Sequence, residues 1–103
     1  MLTTFPADGD VERFAATLIE ERMAACVNIL PPMRSIYRWQ GKLEKADERQ
    51  VLIKTSARRL RDLKKRLKTL HPYEVPELLI FRSEGGDPDY LMWVAQSTQA
   101  VKP

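Results

Sequence analysis

Residues Ala24–Thr55, AACVNILPPMRSIYRWQGKLEKADERQVLIKT, hold two long runs of strand-forming residues that meet at Trp39-Gln40-Gly41-Lys42. Val27, Ile29, Ile36, Tyr37 and Trp39 furnish the first run, and Leu43, Val51, Leu52, Ile53 and Thr55 the second. Gly41 supplies the positive φ that a tight reversal needs, so the segment reads as a hairpin. Its arms, each of more than about ten residues, are roughly twice the usual strand length. So short a chain cannot shelter such arms with its own helices. The surplus edge therefore predicts pairing with further copies of the chain.

On the N-terminal side, Leu2-Thr3-Thr4-Phe5 reads as a short strand stopped by Pro6. A helix follows from Asp8 or Asp10, both suitable N-caps, with Val11, Phe14, Ala15, Leu18 and Ile19 on one stripe. Pro31-Pro32 cannot donate to a ladder and predicts a bend or bulge at an edge. The run Glu44–Arg49 suits solvent or an interface rim, whereas Val51-Leu52-Ile53, without alternation, suits a central strand covered on both faces.

On the C-terminal side, Ser56 is the expected cap of a second helix whose Leu60, Leu63, Leu67 and Leu70 form the buried stripe. His71-Pro72-Tyr73-Glu74-Val75-Pro76-Glu77 is a rigid connector, and Leu78–Phe81 a short buried strand ended by Gly85-Gly86. Asp87-Pro88 opens a last helix carrying Tyr90, Leu91, Trp93 and Val94. The order β-α-β-β-α-β plus a C-terminal helix predicts one α+β domain over residues 1–103, a split-βαβ sandwich with two helices on one face of an antiparallel sheet.

Composition narrows the function classes. An apolar fraction of 44% and a charged fraction of 30% are those of a soluble globular protein, and no apolar run is long enough to span a membrane. The lone Cys26 excludes an internal disulfide, and the cytoplasm is the expected compartment. Residues 58–68 carry seven Lys or Arg against Asp62, a local charge of +6 that leaves −3 for the rest. No aromatic is interleaved there to stack on bases, so this reads as a solvated face before it reads as a nucleic-acid footprint. One histidine, one cysteine and no phosphate loop or paired-carboxylate motif predict a protein that is not an enzyme. Metal binding rests on His71, which needs donors from Cys26, a methionine or a second subunit. Tyr37, Trp39, Lys54, Tyr73, Glu77 and Trp93 are the candidate lining of a ligand cleft between subunits, with Lys54 and Glu77 as its charged groups. The competing reading makes Tyr37 and Trp39 interface anchors alone.

Four motifs in order carry a family resemblance: Glu20–Asn28, Ser35–Lys42, Val51–Thr55 with His71–Glu77, and Tyr90-Leu91 with Trp93. Together they resemble the CutA family of divalent-cation-tolerance proteins over about Leu2 to Thr98. The resemblance implies a ferredoxin-like subunit, a homotrimer whose long hairpins pair between neighbours, an architecture like that of the PII signalling trimers, and a part in tolerance to copper and other divalent metals. The copper site of some members uses a cysteine in the first strand and two adjacent histidines before Pro-Tyr. The matching positions here are Thr3, Leu70 and His71, so the resemblance carries over only His71, with copper or another divalent cation as the implied ligand and none required for folding. The first strand is also shorter than the family's. Competing readings are a scaffolding or PII-like signalling trimer without a metal role, a nucleic-acid-binding module using the helix at 58–68, and an acylphosphatase-like hydrolase. The last needs a cationic loop where Phe5-Pro6-Ala7-Asp8 is acidic.

Overall fold

The computed structural model describes residues 1–100. The elements run β1 (Leu2–Pro6), α1 (Val11–Glu20), β2 (Cys26–Trp39), β3 (Lys42–Lys54), a 3-10 turn (Ala57–Arg59), α2 (Leu60–Leu70) and α3 (Pro88–Ser97). The three strands form one antiparallel sheet in the order β1-β3-β2. One face of it carries the core: Phe5, Val51 and Ile53 from the sheet, Val11, Phe14 and Leu18 from α1, Leu63 and Leu67 from α2. No helix among the described residues is long and apolar enough to cross a membrane.

The hairpin has the predicted size, with arms of 14 and 13 residues. Gln40 (φ 50°) and Gly41 (φ 79°) form its two-residue turn, both left-handed as a type I′ reversal requires. β1 pairs with β3 only from Glu48 to Leu52, so the distal arm projects past the rest of the sheet. Register shifts by one between Ile29 and Pro32, the bulge that the proline pair predicted. The shift has a directional effect. Ile29 lies opposite Val51 on the core side, but Met33 lies opposite Glu48 on the other side. Met33, Ser35, Tyr37 and Trp39 consequently share the face of Glu48 and Gln50.

Asp10 is the cap of α1, its Oδ1 accepting from the Arg13 N–H at 3.1 Å. The helix ends in a Schellman pattern, with Arg22 at φ 58°, its N–H on Ile19 and that of Met23 on Leu18. Ile19, expected on the buried stripe, is exposed. Ser56 makes no side-chain cap, because its Oγ shares a hydrogen bond with Thr98 Oγ1 at 2.8 Å and ties α3 to the start of α2. Asp87 caps α3 as predicted, accepting from the Tyr90 N–H at 3.0 Å.

Three further expectations change. Val51-Leu52-Ile53 lies in the central strand, but helices cover one face only, so Val51 and Ile53 are buried and Leu52 is 36% exposed. The buried strand expected at Leu78–Phe81 is present only as a bridge, Leu79 exchanging both backbone hydrogen bonds with Leu2. The next outward carbonyl of β1, that of Thr4, is taken by the His71 ring at 2.6 Å, which halts a longer ladder. Within Glu44–Arg49, expected to be wholly solvent or rim, Glu48 is buried.

Candidate functional site

α2 stops at His71, whose backbone turns extended (ψ 137°) ahead of Pro72 while its N–H still reaches the Leu67 carbonyl at 2.8 Å. The ring then drops between Phe5, Phe14 and Tyr73, at centroid distances of 4.9, 6.2 and 4.9 Å. Its Nε2–H donates to the Thr4 carbonyl at 2.6 Å, and its Nδ1 accepts the Tyr73 N–H at 3.1 Å. Both partners have fixed polarity, a carbonyl and an amide, so they select the neutral Nε2–H tautomer. Burial holds the imidazole pKa below its ordinary value, against the opposing pull of the Thr4 carbonyl and the Glu48 carboxylate.

That anchoring fixes Tyr73. Its hydroxyl donates to Glu48 Oε2 at 2.7 Å, and burial, with the carboxylate beside it, pushes the phenol pKa upward. Gln50 Nε2 donates to both the Thr3 carbonyl and Glu77 Oε2, each at 2.8 Å, and so pins the far end of the connector. Between connector and hairpin lies a cleft of about 630 Å³. Tyr37 and Trp39 contribute from β2, Glu48 and Gln50 from β3, Tyr73, Glu74 and Glu77 from the connector.

The six residues expected to share a pocket thus divide. Tyr37, Trp39, Tyr73 and Glu77 meet in this cleft. Lys54 lines a second, more apolar cleft of about 720 Å³ with Leu60, Phe81 and Tyr90. Its Nζ stands 6.0 Å from the Tyr90 ring centroid, and Trp93 lies against Tyr90 at 5.7 Å. Glu48 and Gln50 were not singled out from sequence. The shift at Pro31-Pro32 was the signal that would have found them, since it places them beside Tyr37.

The metal expectation meets a geometric difficulty. His71 is 7% exposed and both ring nitrogens are engaged, so it offers no lone pair to an ion. Among the described residues no group of three or more His, Cys, Asp or Glu side chains is arranged to hold one. Thr3 and Leu70 supply no strong donor, and Cys26 starts β2 opposite Lys54, at the other end of the sheet. The described residues of a single chain do not fit a chelated metal. On the basic helix, Arg59 donates to the carbonyls of Glu21 and Arg22, Arg66 clamps Glu21 with two bonds of 2.7 Å, and Arg58 donates to the Ala95 carbonyl. Nearly half of its cations therefore serve the fold.

Comparison with known proteins gives a consistent result. The family model "CutA1 divalent ion tolerance protein" matches residues 1–97. A divalent-cation tolerance protein CutA of Pectobacterium atrosepticum is 47% identical over 97 residues, 94% of this chain and 88% of that protein. Among solved structures, the divalent cation tolerance protein of Thermus thermophilus superposes with a TM-score of 0.90 at 43% identity, covering 95% of both chains. A PII-like CutA from Nostoc, in apo form, gives 0.89 at 34% identity over 97% of this chain and 96% of that one.

Proposed function

The chain belongs to the CutA1 divalent ion tolerance family, and from that premise we propose that it is a non-enzymatic, cytoplasmic homotrimer that acts in the response to divalent metal ions, copper among them, through ligand-binding clefts shared between subunits. The observation that carries this is the hairpin. Along β3, residues 42–46 have no partner on the side away from β2, and no strand pairs the outer edge of β2 among the described residues. Ile36 and Leu43, on the arm, are 62% and 73% exposed. An open, apolar, long edge of this kind aggregates or pairs, and pairing with identical copies in a closed ring leaves no edge over. Tyr37 and Trp39 sit on this arm and line the cleft, which supports reading it as a site shared with a docked neighbour.

The occupant that one subunit's geometry favours is a small ligand. Among the described residues no three metal donors meet, which supports a coordinated ion, where one binds, taking its ligands from more than one subunit and without His71. Sedimentation equilibrium at micromolar concentration tests the assembly. The expected mass is about 36 kDa, three times the 11.9 kDa of the chain. A stable, well-folded monomer refutes it. Titration of metal-free protein with Cu²⁺ is expected to be unaffected by His71→Ala, and loss of a stoichiometric copper site in that variant would restore His71 as a ligand.

A further inference from the structure

We propose that the cleft between the hairpin arm and the connector takes a small organic cation, a substituted ammonium group held by the aromatic rings of Tyr37, Trp39 and Tyr73 and the carboxylates of Glu48, Glu74 and Glu77; this rests on reading the cleft as a ligand site. The chain has 17 Lys and Arg and a net charge of +3, yet no basic residue lines this cleft and three carboxylates do. Glu48 is the sharpest feature. It is 6% exposed, its one hydrogen bond from a side chain is the 2.7 Å bond from Tyr73, and no Lys or Arg nitrogen lies within 4.0 Å of it among the described residues. A carboxylate removed from water with no countercharge is costly, and a cationic guest in the cleft offsets that cost.

The kind of cation follows from how the charge is laid out. A hard metal ion wants several oxygens converging on one point at about 2.0–2.6 Å. Here the carboxylates are spread along the walls, and no group of three or more ligands forms among the described residues. An alkylated ammonium carries its charge on a broad apolar surface, and such surfaces are attracted to aromatic faces. Three aromatic side chains line the cleft, and its volume of about 630 Å³ accommodates a compact guest. Anions meet three like charges there and are repelled.

Three probes of nearly one shape and different charge test this: tetramethylammonium, tert-butanol and trimethylacetate. Each is titrated into the full chain at constant ionic strength, with binding followed by shifts of the Tyr37, Trp39 and Tyr73 resonances. The expected result is saturable tetramethylammonium binding, at least tenfold weaker binding of tert-butanol and none of trimethylacetate. Glu48→Gln, which keeps an acceptor for Tyr73, is expected to weaken the cation at least tenfold, and Glu77→Gln is a second variant should the first fold poorly. No saturable tetramethylammonium binding, equal binding of all three probes, or undiminished binding in both variants overturns the proposal. A trimer that binds tert-butanol or trimethylacetate in this cleft in preference to the cation keeps the ligand site and discards the assigned charge. A trimer in which no probe moves these resonances discards both.

Discussion

Acidification from pH 7 to pH 5 is expected to destabilise the fold, with the buried His71 setting the slope below pH 6.5. His71 is the sole histidine, so its titration is isolated in this pH range from every other imidazole. In the folded chain the ring is buried, and Nδ1 faces the Tyr73 N–H at 3.1 Å; a proton on Nδ1 would set donor against donor. The folded pKa therefore lies below the ordinary value of about 6.5 that the unfolded chain adopts. Below pH 6.5 the unfolded state binds the proton that the folded state refuses. The stabilising contribution is complete above that pH and is lost as pH falls through 6.5 toward the folded value. Its slope approaches about 1.4 kcal/mol per pH unit for each subunit, and a trimer that unfolds as one unit carries three such terms.

The measurement is a series of guanidinium titrations between pH 7.5 and 5 on wild type and His71→Gln. Two other groups bracket the window. The Met1 amine, donating to the Ile53 carbonyl at 2.8 Å, is held by burial below its ordinary value of 8.0. Its contribution is complete above pH 8 and diminishes on the way down, equally in both proteins. Glu21, lowered by its bonds to Arg66, loses its contribution only below about pH 4.5. The variant is less stable throughout, but its slope between pH 6.5 and 5 should be flatter than that of wild type. Parallel curves for the two proteins would refute the assignment of a buried, neutral His71.

Four further outcomes are expected. Tyr73→Phe strips the buried Glu48 carboxylate of its phenolic donor and should cost about 1.5–3 kcal/mol in denaturant titrations. The same change in a Glu48→Gln background should cost less, a coupling that a double-mutant cycle reads directly. Leu67→Ala opens a cavity at a fully buried site between α2 and the sheet, and should lower stability by about 2–5 kcal/mol. At the turns the signs oppose each other: Gly41→Ala forces a Cβ onto φ 79°, for a loss of about 1–2 kcal/mol, whereas Arg22→Gly relieves the strain at φ 58° and should raise the melting temperature.

Much of the architecture was legible from the chain. Hairpin length, turn, helix stripes and the caps Asp10 and Asp87 follow from local residue chemistry, and local chemistry is what a sequence displays. What escaped was decided at a distance. Ser56 is an ordinary N-cap residue by type, but Thr98, 42 positions on, claims its hydroxyl. Leu78–Phe81 is an apolar run like any strand, but the edge it needed is occupied by an imidazole. His71 stands out in the sequence as the lone histidine, but nothing near it reveals that the Thr4 carbonyl, 67 residues away, accepts a hydrogen bond from its ring. Four of the six expected pocket residues came together and two did not, for the same reason. Tyr37, Trp39, Tyr73 and Glu77 meet through the pairing of the sheet, whereas Lys54 and Trp93 belong to the end where α3 folds back.

The extra residue at Pro31-Pro32 reconciles two alternations along one ribbon. Before it, odd positions of β2 such as Ile29 look to the core, and after it odd positions such as Tyr37 look to the cleft. The turn at Gln40-Gly41 holds the distal register, so deleting one of the two prolines would straighten β2 and still leave Tyr37 opposite Glu44 and Trp39 opposite Lys42. What such a deletion would take away is the local bend and added twist of the bulge, and with them the direction in which the arm leaves the sheet. The prolines thus steer the ribbon, and the turn at its tip decides which side chains face the cleft.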